Sequence, residues 1–415
     1  MCPSEQTATS NCSVDRDDTA NTVTTLNSAP DGYPDEMADD LISDVKRELE
    51  SGGNWPYEVG EHRFAGNPFA EKWPDPRLFA GYEDELRRLR ENVQRNVNTF
   101  IMGPFGTGKT ILTKTMYAIL DDVEGYEPVF VSVQKGRFSK AMAKRILDEL
   151  DEPVDASASQ ADLYDDVADA LEDRYEDGVR TVVFYDEVIN GSDGTLRQIL
   201  HLQRDVENWE PVLVFNGTAH MLDQIHAKIE PLSDRIGDEL TLAGMDVEGA
   251  IDLVNKRLRY YCAESEWNDE GDGCAHGEGA LDPFTREAVE LVHQDVTPYP
   301  RHIRRECNEV MEEAAKAGRD TVDFEFVRAT LAEEASRKLE NLSELSTDIV
   351  TFLDGNGPST ANAVTEGLDV SAYHVQESLT ELEKEGLIRA GEGARGIEYR
   401  LTEQASRELS SLQQS

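Results

Sequence analysis

A chain of 415 residues exceeds one ordinary domain and implies two or three, and its 39% hydrophobic content is enough for a buried core. Acids dominate, 84 Asp and Glu against 40 Lys and Arg for a formal net charge of −44, and the bases are 28 Arg but only 12 Lys. No run of 18 apolar residues and no basic-then-apolar leader occurs, so a membrane span is excluded and the expectation is a soluble cytoplasmic protein.

The acid is spread along the whole chain rather than gathered in a tail, which predicts a protein working in molar salt. There the Debye length is only about 3 Å and self-repulsion is screened. An acidic protein of an ordinary cytoplasm is the alternative. In a salt-adapted proteome every protein is acidic, so the net charge says nothing against a nucleic-acid partner. Five scattered Cys (2, 12, 262, 274 and 307) fit reduced thiols and no disulfide framework.

Residues 1–60, rich in Thr, Ser, Asn and Asp, have too few large apolar groups to offset their ordering entropy. A helix near Asp39–Glu50 is the one element expected there. A Pro-punctuated approach, Asn67-Pro68-Phe69 to Phe79-Ala80-Gly81-Tyr82, leads into an Arg-rich helix over 83–97. Phe79, Gly81 and Tyr82 stand where they could cover a nucleotide base, or simply pack as a linker.

Thr99-Phe100-Ile101-Met102 reads as a buried strand. Gly103-Pro104-Phe105-Gly106-Thr107-Gly108-Lys109-Thr110 and an apolar-periodic helix follow. This is a phosphate-binding loop in its strand–loop–helix setting: glycines turn backbone N–H groups inward, Lys109 reaches the β- and γ-phosphates of ATP, and the Thr110 hydroxyl sits on Mg²⁺. A second buried strand covers 128–133, with helices expected at 139–150 and 161–175. The strand Thr181-Val182-Val183-Phe184-Tyr185 delivers Asp186 and Glu187 at its C-terminal end, Asp186 for the metal and Glu187 as general base. A helix over 195–206 precedes the strand 212–215, which ends at Asn216. That side chain either orients a water against the γ-phosphate or caps the next helix. Arg235 precedes a last strand at 239–242, completing an α/β layer with a mostly parallel sheet.

From Asp246 the pattern is helices only, interrupted by an acidic insert at 264–279. Cys262, Cys274 and His276 lie there without zinc spacing. At Ile349 the composition shifts again. Two short helices, a turn at 368–371 and a helix over 371–385 lead to a hairpin punctuated by Gly391, Gly393 and Gly396, the pattern of a winged helix. Ser371, Tyr373, His374 and Gln376 would lead its second helix into a major groove of double-stranded DNA, with Arg389, Arg395 and Arg400 on the wing. Residues 343–415 carry 13 acids and 5 bases, net −8, and such modules also bind proteins, so both partners stand.

In the order approach box, phosphate loop, Asp-Glu strand, Asn216, Arg235 and helical lid, residues 67–340 resemble an AAA+ ATPase. The resemblance implies a five-stranded sheet of order 5-1-4-3-2, an all-α lid and three units at 61–245, 246–340 and 341–415. It makes Asn216 a first sensor, Arg235 an arginine finger for a neighbouring copy, and Arg301, in Thr297-Pro298-Tyr299-Pro300-Arg301, a second sensor. With the C-terminal unit the chain is similar to archaeal origin-recognition and cell-division-control replication initiators, which with its composition implies a haloarchaeal source. It departs from them at Tyr82, which stands where an Arg is usual, and at Asp186–Asn190, which lacks a second Asp. The C-terminal unit is closer to MarR-type regulators, and the core also resembles transposition-helper ATPases. The expected activity is therefore a nucleotide-controlled DNA-binding switch, with a regulatory ATPase that binds protein, or a remodelling ATPase, as alternatives.

Overall fold

In the computed structural model the described residues are 58–64, 66–70, 75–132, 139–155, 157–187, 211–262, 281–393 and 396–412. The helices expected at 39–50 and 195–206, the acidic insert and Arg395 lie outside them. All described residues belong to one unit, Trp55–Ser415.

The chain enters the fold slightly before the expected boundary at 60. β1 (Glu58–Val59) and β2 (His62–Arg63) make a small antiparallel pair with Val59 fully buried. Helix α1 (Glu83–Gln94) leads to β3 (Thr99–Met102), and α2 (Lys109–Asp121) leads to β4 (Tyr126–Ser132). Then come α3 (Ser139–Glu149), α4 (Gln160–Glu176), β5 (Arg180–Asp186) and β6 (Val212–Gly217). Helices α5 (Ala219–Lys228) and α6 (Glu230–Ser233) precede β7 (Asp238–Thr241).

These five strands pair in parallel in the order β4-β5-β6-β3-β7, which is 5-1-4-3-2 when read from the opposite edge with β3 counted first. Crossover helices cover both faces, so the strands can be apolar throughout and side chains alternate between two cores. Val182, Phe184, Val212 and Val214 pack toward α2 and the helices that follow β7. Val183, Tyr185, Leu213 and Phe215 pack toward α3 and α4, with the Tyr185 and Phe215 rings stacked at 5.4 Å.

The helical segment comprises α7 (Val247–Tyr261), α8 (Arg286–Asp295), α9 (Pro300–Lys316) and α10 (Phe324–Glu340). Side chains cap three of their N-termini, since Asp246, Thr285 and Asp323 each accept a backbone N–H three residues on. Cys262 is disulfide-bonded, contrary to the expectation of free thiols. Cys307 is free and buried.

The C-terminal unit has its own core. It runs α11 (Glu344–Asn356), β8 (Ser359–Thr360), α12 (Ala361–Leu368), α13 (Ala372–Lys384), β9 (Ile388–Gly393), β10 (Gly396–Leu401) and α14 (Glu403–Leu412). The two-residue β8, which pairs with β10, and the terminal α14 were not foreseen. No helix among the described residues is long and apolar enough to cross a membrane.

Candidate nucleotide site and the clasp beneath it

The parallel sheet brings the C-terminal ends of β3, β5 and β6 side by side, and a cavity of about 360 Å³ opens there. Gly106 (φ +88°) and Gly108 (φ +95°) take left-handed backbone that side chains disfavour, which wraps the loop around Lys109 at the start of α2. The Lys109 ammonium donates to the carbonyls of Gly103 and Pro104, each at 2.7 Å. Burial pushes its pKa down to about 8, opposed by Asp186 and Glu187.

The Thr110 hydroxyl lies 3.1 Å from both Asp186 carboxylate oxygens. Asn216 is 2% exposed; its Nδ2 donates to Asp186 at 2.8 Å and to Thr113 at 3.0 Å, while its Oδ1 has no partner. Asn216 therefore steadies the acid, and the cap of α5 is Thr218 instead. Glu187 is exposed and sits at φ +57°, a strained position for a residue with a side chain, just beyond the end of β5. A hydroxyl and a carboxylate facing each other beside an ammonium are the oxygen donors that Mg²⁺ takes.

The remaining walls come from the approach segment and the helical segment. Tyr82 is buried, packs near Gly108 and donates its hydroxyl to the Ala243 carbonyl at 2.7 Å, so it ties the approach to the chain after β7. Phe79 is buried and its carbonyl accepts from Lys256. Neither ring lines the cavity. Arg301 does: its N–H reaches the Gly106 carbonyl at 3.4 Å, and a Cβ on Gly106 would meet the Arg301 side chain at 3.2 Å.

Sequence reasoning missed three further cations on the cavity wall, Lys114, Arg257 and Arg304. Arg257, 5% exposed, donates to the Pro68 carbonyl at 2.9 Å with Nε unpartnered; burial and the neighbouring Arg304 push its pKa down to about 10. Arg304 donates to the Phe69 carbonyl. The available signal was spacing: Arg301 and Arg304 are three apart on α9 and share a face. Arg235 lies in the turn before β7, away from its own chain's cavity, with its carbonyl accepting from Asn98.

Four residues before Arg301, Thr297 clasps the C-terminal unit. Its hydroxyl donates to Glu383 at 2.8 Å and accepts from the Ala390 N–H at 3.2 Å. Asp295, 5% exposed, accepts from the Gln404 N–H, and burial pushes its pKa up to about 6. Arg389, half-buried and expected among the DNA contacts, donates to the Gln294 carbonyl beside this clasp. The other residues expected at DNA are arranged differently. Tyr373 is 73% exposed, His374 is exposed beside it and bonded to Ser371 (the N-cap of α13), Gln376 reaches the Tyr399 hydroxyl, and Arg400 is exposed on β10.

Residues 87–225 match the AAA domain family and residues 345–399 match the FaeA-like protein family. Cdc6p of Pyrobaculum aerophilum shares the fold with a TM-score of 0.51 at 15% identity, over 83% of this chain and 96% of that one. The Orc2 protein of Aeropyrum pernix, solved as ADPNP and ADP complexes, gives a TM-score of 0.51 at 18% identity, over 84% and 98%. An uncharacterized HTH-type transcriptional regulator of Methanocaldococcus jannaschii is 21% identical over 201 residues, 47% of this chain and 46% of that relative, so the match spans about half the relative's length. The chain therefore has the AAA+ P-loop fold, with a parallel five-stranded sheet and a helical C-terminal region.

Proposed function

We propose that this protein is an ATP-binding, slowly ATP-hydrolysing switch in which nucleotide state controls how a C-terminal winged helix meets double-stranded DNA. The observation that carries the reading is the short segment from Asp295 to Arg301. Arg301 packs on the phosphate loop at Gly106, while Thr297 holds Glu383 and the Ala390 backbone of the C-terminal unit. A shift of Arg301 is thereby a shift of the clasp. Such a switch requires only that ATP bind one arrangement better than the other, not that turnover be fast.

In the cavity, the backbone from Gly103 through Thr107 and Gly108 would cradle the phosphates, with Pro104 and the exposed Phe105 at its rim. Lys109, now satisfied by loop carbonyls, would turn its ammonium to the phosphates. Thr110 and Asp186 would hold Mg²⁺, which when bound offsets charge on the phosphate oxygens. Glu187, exposed at the end of β5, would take the proton from the attacking water, and Asn216 would keep Asp186 aimed. Arg235 would serve a neighbouring copy, and turnover that rises with protein concentration is then expected.

In the C-terminal unit Tyr373 and His374 would lead α13 toward base edges, with Ser371 as its cap, Gln376 beside them, and Arg395 and Arg400 at phosphates. The candidate use is replication initiation, supported by the architecture shared with Cdc6p and Orc2. A second reading, in which the unit binds protein, is favoured by one observation: Arg389 is engaged with the helical segment in a unit that is otherwise acidic.

Duplex binding in about 2 M KCl, where surface charge is screened, separates the two readings when compared with ATP, with ADP and without nucleotide. Retention that depends on ATP and is lost in Tyr373→Ala/Arg400→Ala supports the DNA switch. Absence of binding in all three states would overturn it in favour of a protein partner.

A further inference from the structure

A second polar cluster lies in the helical segment, away from the nucleotide cavity. Glu306 and Glu309 on α9 and Glu334 on α10 each bring a carboxylate oxygen within 4.8 Å of the other two. The three-residue spacing on α9 puts the first two on one face. Glu306 is the most buried of the three: it is 3% exposed, and its Oε1 has no hydrogen-bond partner. Oε2 of Glu309 has none either. A groove of about 720 Å³ between α9 and α10 is lined by Glu309 and Glu334 together with Glu312, Glu313 and Glu333, so that five acids outnumber its two cations, Lys316 and Arg337.

Charge balance around the three carboxylates is incomplete. Lys338 on α10 is ion-paired with Glu334 and also donates to the Glu385 carbonyl at 2.6 Å. Arg305 on α9 has its Nε 3.7 Å from Glu309. Gly386, in the turn after α13, leaves the other side of Glu306 without a side chain, a Cβ there lying 4.0 Å from Oε2. Glu306 is in no ion pair within 4 Å, and Arg305 and Lys338, the cations near it, are paired with Glu309 and Glu334. A buried carboxylate without a partner is costly.

We propose that Glu306, Glu309 and Glu334 form a binding site for a hard divalent cation of the Ca²⁺ or Mn²⁺ class. Three carboxylates with no thiolate or imidazole select oxygen-seeking ions over zinc. The three oxygens lie within 4.8 Å of one another, a limit that donors about 2.4 Å from a single Ca²⁺ ion also keep. Lys338 is its competitor for Glu334. Because Lys338 also holds Glu385, occupancy reaches the C-terminal unit independently of the nucleotide.

The test uses the full chain carrying Asp186→Ala, which removes the acid of the nucleotide site, without nucleotide and in about 2 M KCl to suppress surface binding. Mn²⁺ is titrated and the bound ion counted by electron paramagnetic resonance. We expect one ion per chain above the background of surface acids, displaced by Ca²⁺. Its affinity should fall at least tenfold in Glu306→Gln and in Glu334→Gln, rise in Lys338→Met, and stay unchanged in Glu312→Gln at the groove rim. Near-UV circular dichroism checks that each variant is folded; if Glu306→Gln is not, the Glu334 and Lys338 variants carry the decision. No ion above background, or equal affinity in the parent and the folded variants of the three central residues, overturns the proposal.

Discussion

The nucleotide cavity and the clasp beneath it sit on opposite sides of Arg301, yet they are specified differently. At the cavity the backbone does the placing. A parallel sheet aligns the ends of β5, β6 and β3 in that order, so that Asp186 and Asn216 on neighbouring strands meet Thr110 at the start of the helix that follows β3. At the clasp, single side chains do it: Thr297 and Glu383 are 86 residues apart, and Asp295 and Gln404 are 109 apart. A site set by sheet topology tolerates a changed side chain with its geometry intact. A clasp made of single hydrogen bonds does not, and variants on the two sides should therefore fail in different ways.

The largest effects belong to the cavity. Lys109→Ala removes the ammonium while leaving the sheet in place, so isothermal titration should show ATP binding lost by roughly two orders of magnitude or more, with the melting temperature nearly unchanged; an ammonium–phosphate contact of this kind is charge-assisted and buried. Glu187→Gln should keep ATP affinity within a few fold and lower hydrolysis by about 10²–10⁴, the range of a lost general base. If both variants instead unfolded at lower temperature, the cavity would be part of the structural core and the contrast with the clasp would fail.

The same contrast explains what could be read from the sequence. Gly103–Thr110 and Asp186-Glu187 are local signatures, each carrying its chemistry within a few residues, and the alternation of apolar strands with helices dictates a parallel sheet around them. Arg257 and Arg304 were not legible as cavity residues, because their position depends on how α7 and α9 fold back over the approach segment, where they bind the Pro68 and Phe69 carbonyls. The partner of Arg389 was hidden for a related reason. Nothing local to the hairpin shows that it donates to the carbonyl of Gln294 on α8. The short β8 escaped because two residues carry no period.

On the clasp side, the larger effect is one of pH. Asp295 has its carboxyl pushed from the usual 3.8 to about 6 by burial. Between those values the folded chain keeps a proton that the unfolded chain has released, so stability falls as pH rises from about 4 to 6 and is level in this group above that. Two units correspond to about 3 kcal/mol at most. Asp295→Asn keeps the oxygen that accepts from Gln404 and cannot ionise. Chemical denaturation across this range should give a flatter pH profile for the variant and equal stabilities near pH 4. Parallel profiles would mean that Asp295 is charged in the folded state.

The smallest effect on stability separates the two regions most sharply. Thr297→Val keeps the shape of the side chain and deletes the hydroxyl that joins Glu383 to the Ala390 N–H. Both partners are left short of one hydrogen bond, at a cost of about 1–2 kcal/mol. The cavity is four residues away and Arg301 still faces Gly106, so ATP affinity should be unchanged. What should be lost is the difference between ATP and ADP in duplex binding, measured side by side for parent and variant. If the variant instead weakened ATP binding and left that difference intact, the segment from Asp295 to Arg301 would serve to brace the cavity, and the coupling to the C-terminal unit would have to run through another contact, such as Lys338 with Glu385.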